Sequence, residues 1–467
     1  MPVRRSRSRP VVGVFSPTTG RSLLPVGITT ILPETARRVR QLEDALLATL
    51  GRWGYHEIIL PTFEYLDVLS PGLQARAIEK GYQLTDRTTG RTLVLRPDAT
   101  AQIARTVAMG MLGERLPLRL AYRTTVFRYE PEHLGRDREL LQVGAELIGL
   151  PDMEADTEII ALMIECLRRI GVKSFKISLG HAGFLQGLLR WTGMGPAARK
   201  EAEHAAARKD IPKLEELLAK ERIPSRRARA VLEAPGLYGR EEVLERGRVL
   251  AGRDRLVCAA LDRLGAVYRA LEESGFREHL LLDLGELRGL DYYDGIIFDV
   301  FAEGVGYELG GGGRYDHLLG RFGRMAPSTG FAFDVDRLFQ VSERIEISTT
   351  ASEAEVLVVA PKSRASAMRR LAQLLRMRGV CAILGRPLAA GSRAIGQAID
   401  EARRLGATSL IFLGVPPATA EQAVLIEPAS LPPGAARMPR SVLTIAGARV
   451  LSVDILADVL TKALGKS

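Results

Sequence analysis

The segment Phe127–Gly149, FRYEPEHLGRDRELLQVGAELIG, constrains the fold more than any other. It reads as a strand, a short polar loop and a second strand. In the second strand the side-chain period of two places Leu141, Val143, Ala145 and Leu147 on one face. Gln142, Gly144 and Glu146 fall on the other, so an amide and a carboxylate point the same way, with a glycine between them that leaves room for a ligand. By the same rule Arg128 and Glu130 share a face of the first strand. A guanidinium with carboxylates on adjacent strands suits a zwitterionic small molecule or a phosphate. Taken alone, the segment fits the solvated face of an antiparallel sheet equally well.

At 467 residues the chain is too long for one core, and two or three domains are expected. Hydrophobic content of 46% and charged content of 26% describe a soluble globular protein. No apolar run approaches the ~20 residues that cross a bilayer, and there is no apolar secretory segment. Cys166, Cys258 and Cys381 are widely spaced within apolar patterns and read as reduced core thiols, neither metal ligands nor a disulfide framework. The six histidines form no pair at zinc-ligand spacing. The expectation is a cytoplasmic protein without metal, cofactor or membrane partner.

The net charge of +10 is uneven: +5 over residues 1–21, +7 over 353–467 and −2 between them. The first 24 residues, with arginines among Ser and Pro, read as a disordered basic tail. The basic C-terminal third fits either a nucleic-acid footprint or solvated helix faces, since Arg364, Arg369, Arg370, Arg376 and Arg378 share one helix.

Residues 25–345 read as one α+β unit. A helix at Glu34–Leu50 leads to a strand at His56–Leu60, stopped by Pro61. Strand patterns recur at Thr92–Leu95, Leu118–Tyr122, Val126–Tyr129, Leu140–Ile148, Leu281–Leu284 and Ile296–Phe301. A helix spans Glu154–Ile170, a helical insertion occupies about 184–275, and a last helix opens near Asp336. Strands and helices without strict alternation argue for an antiparallel sheet. Residues 353–467 read as a small parallel α/β domain, with strands at Val356–Val359, Val380–Leu384 and Ser409–Leu413 and an added edge strand expected at Val442–Ile445. The run Gly310–Gly313 lacks the spacing of either nucleotide-binding loop. It is either a bare loop or a strand whose missing side chains open a pocket floor to a flat ligand.

Several segments together resemble one family. Arg288-Gly289-Leu290-Asp291-Tyr292-Tyr293 resembles the histidine-recognition motif of histidyl-tRNA synthetases, and Phe127–Gly149 their class II motif 2. Gly330–Leu338 is similar to motif 3, and the helix and strand ending at Pro61 to motif 1, the dimer interface. The details match a non-catalytic branch, the regulatory subunits of ATP phosphoribosyltransferase. Leu95–Arg105 is similar to that branch's LRPDxTxxIAR, Glu146–Gly149 to its ELIG, and Leu179–Phe184 to its LGHxGF.

The resemblance implies a class II synthetase-like core, a C-terminal domain like an anticodon-binding domain, and no catalytic residues. It implies a histidine pocket of Asp98, Thr100, Gln142, Glu146, Arg288, Tyr292 and Tyr293, and a vestigial nucleotide site of Arg128, Glu130 and Arg337. The implied partners are a short-form catalytic ATP phosphoribosyltransferase subunit, a second copy through the motif 1 helix and strand, and histidine as effector. Binding of tRNA is not expected, because residues 416–439 depart from the synthetase pattern. The alternative is an active histidine–tRNA ligase, since Arg128 and Arg337 match the phosphate-binding arginines of the synthetases.

Overall fold

The computed structural model describes residues 24–73, 75–111, 113, 115–129, 138–286, 292–342, 356–377, 380–385, 387–388, 392–405, 407–414, 422–427 and 449–452. The chain divides into two compact units, Met1–Ile345 and Glu346–Ser467. The strands of the first unit are β1 (His56–Glu57), β2 (Phe63–Tyr65), β3 (Gln83–Thr85), β4 (Thr92–Leu95), β5 (Leu118–Phe127) and β6 (Glu139–Ile148). They continue with β7 (Phe175–His181), β8 (Tyr238–Gly239), β9 (Leu280–Asp283), β10 (Ile296–Ala302), β11 (Gly310–Arg314) and β12 (Ser328–Asp334).

Nine of these strands form one sheet in the order β1-β5-β6-β12-β11-β10-β7-β9-β8, and β2-β4-β3 form a small one beside it. From β5 to β7 every pairing is antiparallel. The alternation along β6 decides which way the sheet faces. Val143, Ala145 and Leu147 are buried in the same core as Leu42, Leu46 and Leu50 of the helix Pro33–Arg52 and Ile159, Met163, Cys166 and Leu167 of the helix Met153–Arg169. Gln142, Gly144 and Glu146 look the other way. Six helices between Ala182 and Glu273 make up the insertion.

Two local expectations change, and one open alternative is decided. The two short strands expected at Leu118–Tyr122 and Val126–Tyr129 are one, because all ten residues of β5 pair with β6. Arg128 therefore lies just past the strand end. The strand expected at His56–Leu60 keeps only two residues, because the carbonyls of Leu60 and Pro61 turn to accept from Arg96 Nη1 at 3.1 and 2.8 Å. The glycine run is a strand, not a loop: a Cβ on Gly312 would stand 2.0 Å from the Gly330 carbonyl oxygen, so β11 and β12 approach at a distance only glycine allows.

In the second unit β13 (Val356–Val359), β14 (Ala382–Leu384), β15 (Ser409–Leu413), β16 (Gln422–Ile426) and β17 (Arg449–Ser452) form one sheet in the order β14-β13-β15-β16-β17. It is parallel only among β14, β13 and β15. The pairings with β16 and β17 are antiparallel, so the sheet is mixed where a parallel one was expected. The edge strand expected at Val442–Ile445 lies outside the described residues. No helix among them is long and apolar enough to cross a membrane.

A buried ion cluster ties the insertion to the sheet. Asp156, 0% exposed on the helix Met153–Arg169, accepts from Arg314 Nε of β11 at 2.8 Å and from Arg263 Nη2 of the helix Arg255–Glu273 at 2.7 Å. Removing the carboxylate takes from the buried Arg314 guanidinium its fully buried counter-ion and leaves it Asp316 at 3.0 Å. Asp156→Ala is expected to cost about 3–5 kcal/mol of stability, read by denaturant unfolding of the whole chain. Arg263→Met, which strips a half-exposed partner, should cost far less.

Candidate functional site

On the face of the sheet opposite the core, Glu146 sits at 1% exposure and fixes the geometry around it. Its Oε1 accepts from Thr100 Oγ1 at 2.7 Å, and its Oε2 accepts from the Tyr315 hydroxyl. The strand across from it contributes Gly330, whose missing side chain is required, since a Cβ there would stand 1.6 Å from Glu146 Oε2. Thr100 is delivered by the first turn of the helix Ala99–Ala108. That turn is fixed by Asp98 as N-cap, its Oδ1 accepting from the Thr100 amide at 2.8 Å. The other oxygen of Asp98 accepts from the Tyr292 hydroxyl at 3.0 Å.

Three tyrosines wall the acids. Tyr292 and Tyr293 have ring centroids 4.8 Å apart, and Tyr315 lies 5.8 and 6.5 Å from them. Tyr293 packs on Gly313 of β11, so the glycine strand supports an aromatic ring and is not an open floor there. The space above Gly144 is not free for a ligand either. Tyr122 of β5 stands opposite it in register, and a Cβ on Gly144 would lie 2.4 Å from the Tyr122 ring.

Five of the expected histidine-site residues, Asp98, Thr100, Glu146, Tyr292 and Tyr293, therefore form one cluster. Gln142 begins a second one, four residues along β6 and roughly 13 Å away by strand rise. Its Nε2 donates to Asp334 Oδ1 at 2.9 Å, and Asp334 Oδ2 pairs with Arg337 at 3.1 Å. Arg337 is held further by the Glu308 carboxylate at 2.9 Å and carbonyl at 2.7 Å. Arg128 donates from Nε to the Pro97 carbonyl at 2.9 Å, beside the Asp98 cap. Arg288 and Glu130 lie outside the described residues. Tyr315, Tyr122 and Glu308 lie outside the expected site set, and Gly330 and Asp334 enter it only as part of the motif 3 segment. The one sequence signal for Tyr315 was its position just after the glycine run.

The electrostatics set the two acids apart. Most buried carboxylates of this unit have a cation at hand: Asp156 with Arg314, Glu64 with Arg105, Asp283 with Lys209. Among the described residues, no Lys, Arg or His pairs with Glu146 or Asp98. Their partners are hydroxyls and a backbone amide. Burial pushes the Glu146 carboxyl up to about 8, against the hydrogen bonds from Tyr315 and Thr100 that favour its ionised form. The arrangement is a pair of neighbouring acids closed by hydroxyls and a backbone amide in place of cations. No group of metal-ligating residues occurs among the described residues.

The segment Leu179–Phe184 has a structural role. His181 caps the helix Ala182–Thr192 through Nδ1, which accepts from the Gly183 amide at 3.1 Å. Burial, and after it the nearby Arg263 guanidinium, bring the ring down to about 4, so it stays neutral.

The profile of the family described as histidyl-tRNA synthetase matches residues 27–338. A histidyl-tRNA synthetase from Nostoc sp. PCC 7120 superposes with a TM-score of 0.70 at 19% identity, over 94% of this chain and 99% of that one, which speaks for the fold. The class is thus a class II synthetase-like α+β protein of the histidyl-tRNA synthetase type. Within it, the chain is 38% identical over 362 residues to the ATP phosphoribosyltransferase regulatory subunit of Syntrophotalea carbinolica, covering 78% of this chain and 84% of that protein. The regulatory subunit of Moorella thermoacetica is 39% identical over 361 residues, 77% of this chain and 91% of that one. A structure from Bacillus halodurans, titled an ATP phosphoribosyltransferase regulatory subunit/histidyl-tRNA synthetase, superposes with a TM-score of 0.69 at 29% identity, over 80% of this chain and 95% of that one. The chain belongs to the family of ATP phosphoribosyltransferase regulatory subunits.

Because the folded value of Glu146 lies above the 4.5 of a free glutamate, the folded unit keeps a proton that the unfolded chain releases between about pH 4.5 and 8. Stability is therefore expected to fall as pH rises through that window. Glu146→Gln should flatten this dependence in thermal unfolding followed from pH 5 to pH 8.

Proposed function

We propose that this chain is the non-catalytic regulatory subunit of ATP phosphoribosyltransferase, required for the first step of histidine biosynthesis, and that it binds free histidine for feedback control. The observation that carries this reading is the pair of neighbouring acids, the buried Glu146 and the half-buried Asp98, held by hydroxyls and a backbone amide and without a cationic partner among the described residues. An α-ammonium or imidazole N–H of the ligand would supply the missing positive partner, with Tyr293 against the ring. The catalytic partner is a separate short-form subunit that transfers phosphoribose from phosphoribosyl pyrophosphate to ATP. Histidine would favour one conformation of the complex, and its coupling to substrate binding must then be reciprocal.

Self-assembly through the motif 1 helix and strand fits the surface. β1 is an edge strand of only two residues, and next to it Ile59 is 88% and Phe63 51% exposed. Large exposed apolar side chains beside a sheet edge suit a second copy of the chain. Ile59→Asp is expected to shift the chain toward monomer in sedimentation, with its circular dichroism unchanged.

Titrating the chain with histidine in a calorimeter tests the pocket. Binding of an ammonium favours the ionised form of Glu146, so affinity is expected to rise toward pH 8. Near pH 7 the heat should vary with the buffer's ionisation enthalpy, because a proton is released. Glu146→Gln should weaken binding by about tenfold to a hundredfold, the worth of one charged hydrogen bond. Histidine added to the reconstituted complex should lower its rate; an unchanged rate and substrate affinity would count against feedback.

A second reading, an active histidine–tRNA ligase, is favoured by the retention of Arg128 and Arg337. Arg337 is engaged with Asp334 and Glu308, which leaves it less available to a phosphate. Histidine-dependent ATP–pyrophosphate exchange by the isolated chain would decide for this alternative.

A further inference from the structure

The pairing register puts Gly180, and with it Ser178 and Lys176, on the same sheet face as Glu146. A cavity of about 920 Å³ opens over this part of the face, lined from β7, β8, β9 and the end of β10. Four strand spacings, roughly 19 Å, separate β7 from β6, so an occupant here is not the occupant of the Glu146 recess. Ser178 lies at the middle of the floor, beside Leu281 of β9. It is 5% exposed, and among the described residues its hydroxyl has no hydrogen-bond partner. The cavity is the side from which that hydroxyl can be met.

The ionic groups of the wall are already taken or stand in water. Asp283 is paired with Lys209 at 3.2 Å and accepts from the Gly285 amide at 2.8 Å. The Glu278 carboxylate is met by Arg168 at 3.5 Å, and Lys173 and Glu286 are engaged within the chain as well. Arg168 also donates to His279 Nε2 at 3.0 Å, and burial lowers the proton affinity of that ring, which keeps it neutral. Lys176, which donates to the Glu278 carbonyl, and Glu303 stand on the exposed rim. Three lysines face four carboxylates around the cavity, so neither sign prevails. A charged ligand would give up hydration there with no opposite charge free inside to receive it.

The uncommitted surface is aromatic and aliphatic. Tyr238 of β8 stands level with Gly180, and Phe301 of β10 stands level with Lys176, so the two mark diagonally opposite corners with Ser178 and Leu281 between them. Both line the cavity, and at 53% and 41% exposure both leave large ring surface in water. The volume exceeds what one ring fills.

We propose that this cavity is a second ligand site, and that it takes an uncharged two-ring aromatic molecule carrying one hydrogen-bonding group, with the rings against Tyr238, Phe301 and Leu281 and the polar group on the Ser178 hydroxyl. The site is independent of the histidine reading.

The test adds 2-naphthol, uncharged at pH 7, to the full-length chain and follows its fluorescence and the heat of titration. 2-Methylnaphthalene keeps the shape without the hydroxyl, and 2-naphthoate and 2-naphthylmethylamine add a charge of either sign. Saturable binding of 2-naphthol is expected, about three- to tenfold tighter than that of 2-methylnaphthalene, the worth of one uncharged hydrogen bond. It should be at least about tenfold tighter than that of either charged probe. Ser178→Ala is expected to bring 2-naphthol down to the affinity of 2-methylnaphthalene and to leave 2-methylnaphthalene no weaker, a pattern that a damaged fold would not give. Phe301→Ser, on the exposed rim, should weaken both uncharged probes by about tenfold. Absence of saturation with 2-naphthol, a charged probe that binds as tightly, or unaltered binding in either folded variant would overturn the site.

Discussion

The first unit is organised around a carboxylate buried at the middle of a nine-stranded sheet without a counter-charge among the described residues. Placing Glu146 there costs solvation that two hydroxyl hydrogen bonds only partly return, and the carboxyl responds by holding its proton to about pH 8. Its neighbours are fitted to that choice. Gly330 is bare because the carboxylate occupies the place of a side chain. The helix Ala99–Ala108 starts where it does because Asp98 caps it, which brings the Thr100 hydroxyl to Glu146. Tyr315 comes from the residue after the glycine strand, whose partner Arg314 is anchored by Asp156 on the other side of the sheet.

The contrast with other buried acids gives the site its chemical meaning. Where the unit needs a carboxylate for cohesion, it supplies a guanidinium at salt-bridge distance, as at Asp156 and Glu64. Such a pair is closed and has little to offer a ligand. Glu146 and Asp98 are closed by neutral donors, which satisfy lone pairs without cancelling charge. Glu146 meets the missing counter-charge by keeping its proton to about pH 8, so a cation brought beside it would have to release that proton. Arg337, tied to Asp334 and Glu308, shows the opposite arrangement at the far end of β6.

Much of this was legible in the sequence, and the limits have a physical origin. The alternation along β6 separated the core face from the opposite face correctly, because a period of two leaves no freedom once one face is buried. Helix caps and strand identities follow local rules, so Thr92–Leu95, Val356–Val359 and Ser409–Leu413 were read to the residue. What a local pattern does not carry is register between distant strands. Gly144 looked like room for a ligand because nothing near it in sequence says that Tyr122, 22 positions earlier, lies across it. The two pieces of β5 were joined only by their long partner. β16 was hidden in a proline-rich stretch, and its antiparallel pairing turned a parallel sheet into a mixed one.

The glycines make the same point about function. A family motif marks a position as constrained without saying whether a ligand or the backbone imposes the constraint. At Gly312 the constraint is strand approach, at Gly313 a tyrosine ring, and at Gly330 a carboxylate oxygen. His181, within a segment that resembles the regulatory branch, serves as a helix cap that burial keeps neutral. A sheet face shaped in this way retains its contours wherever the backbone constraints persist, and the chemistry on it then depends on a few side chains. Whether such a face activates an amino acid or only senses one turns on which cations are left free to meet a phosphate. Arg337, held by Asp334 and Glu308, is a cation on this face that acids of the chain already engage.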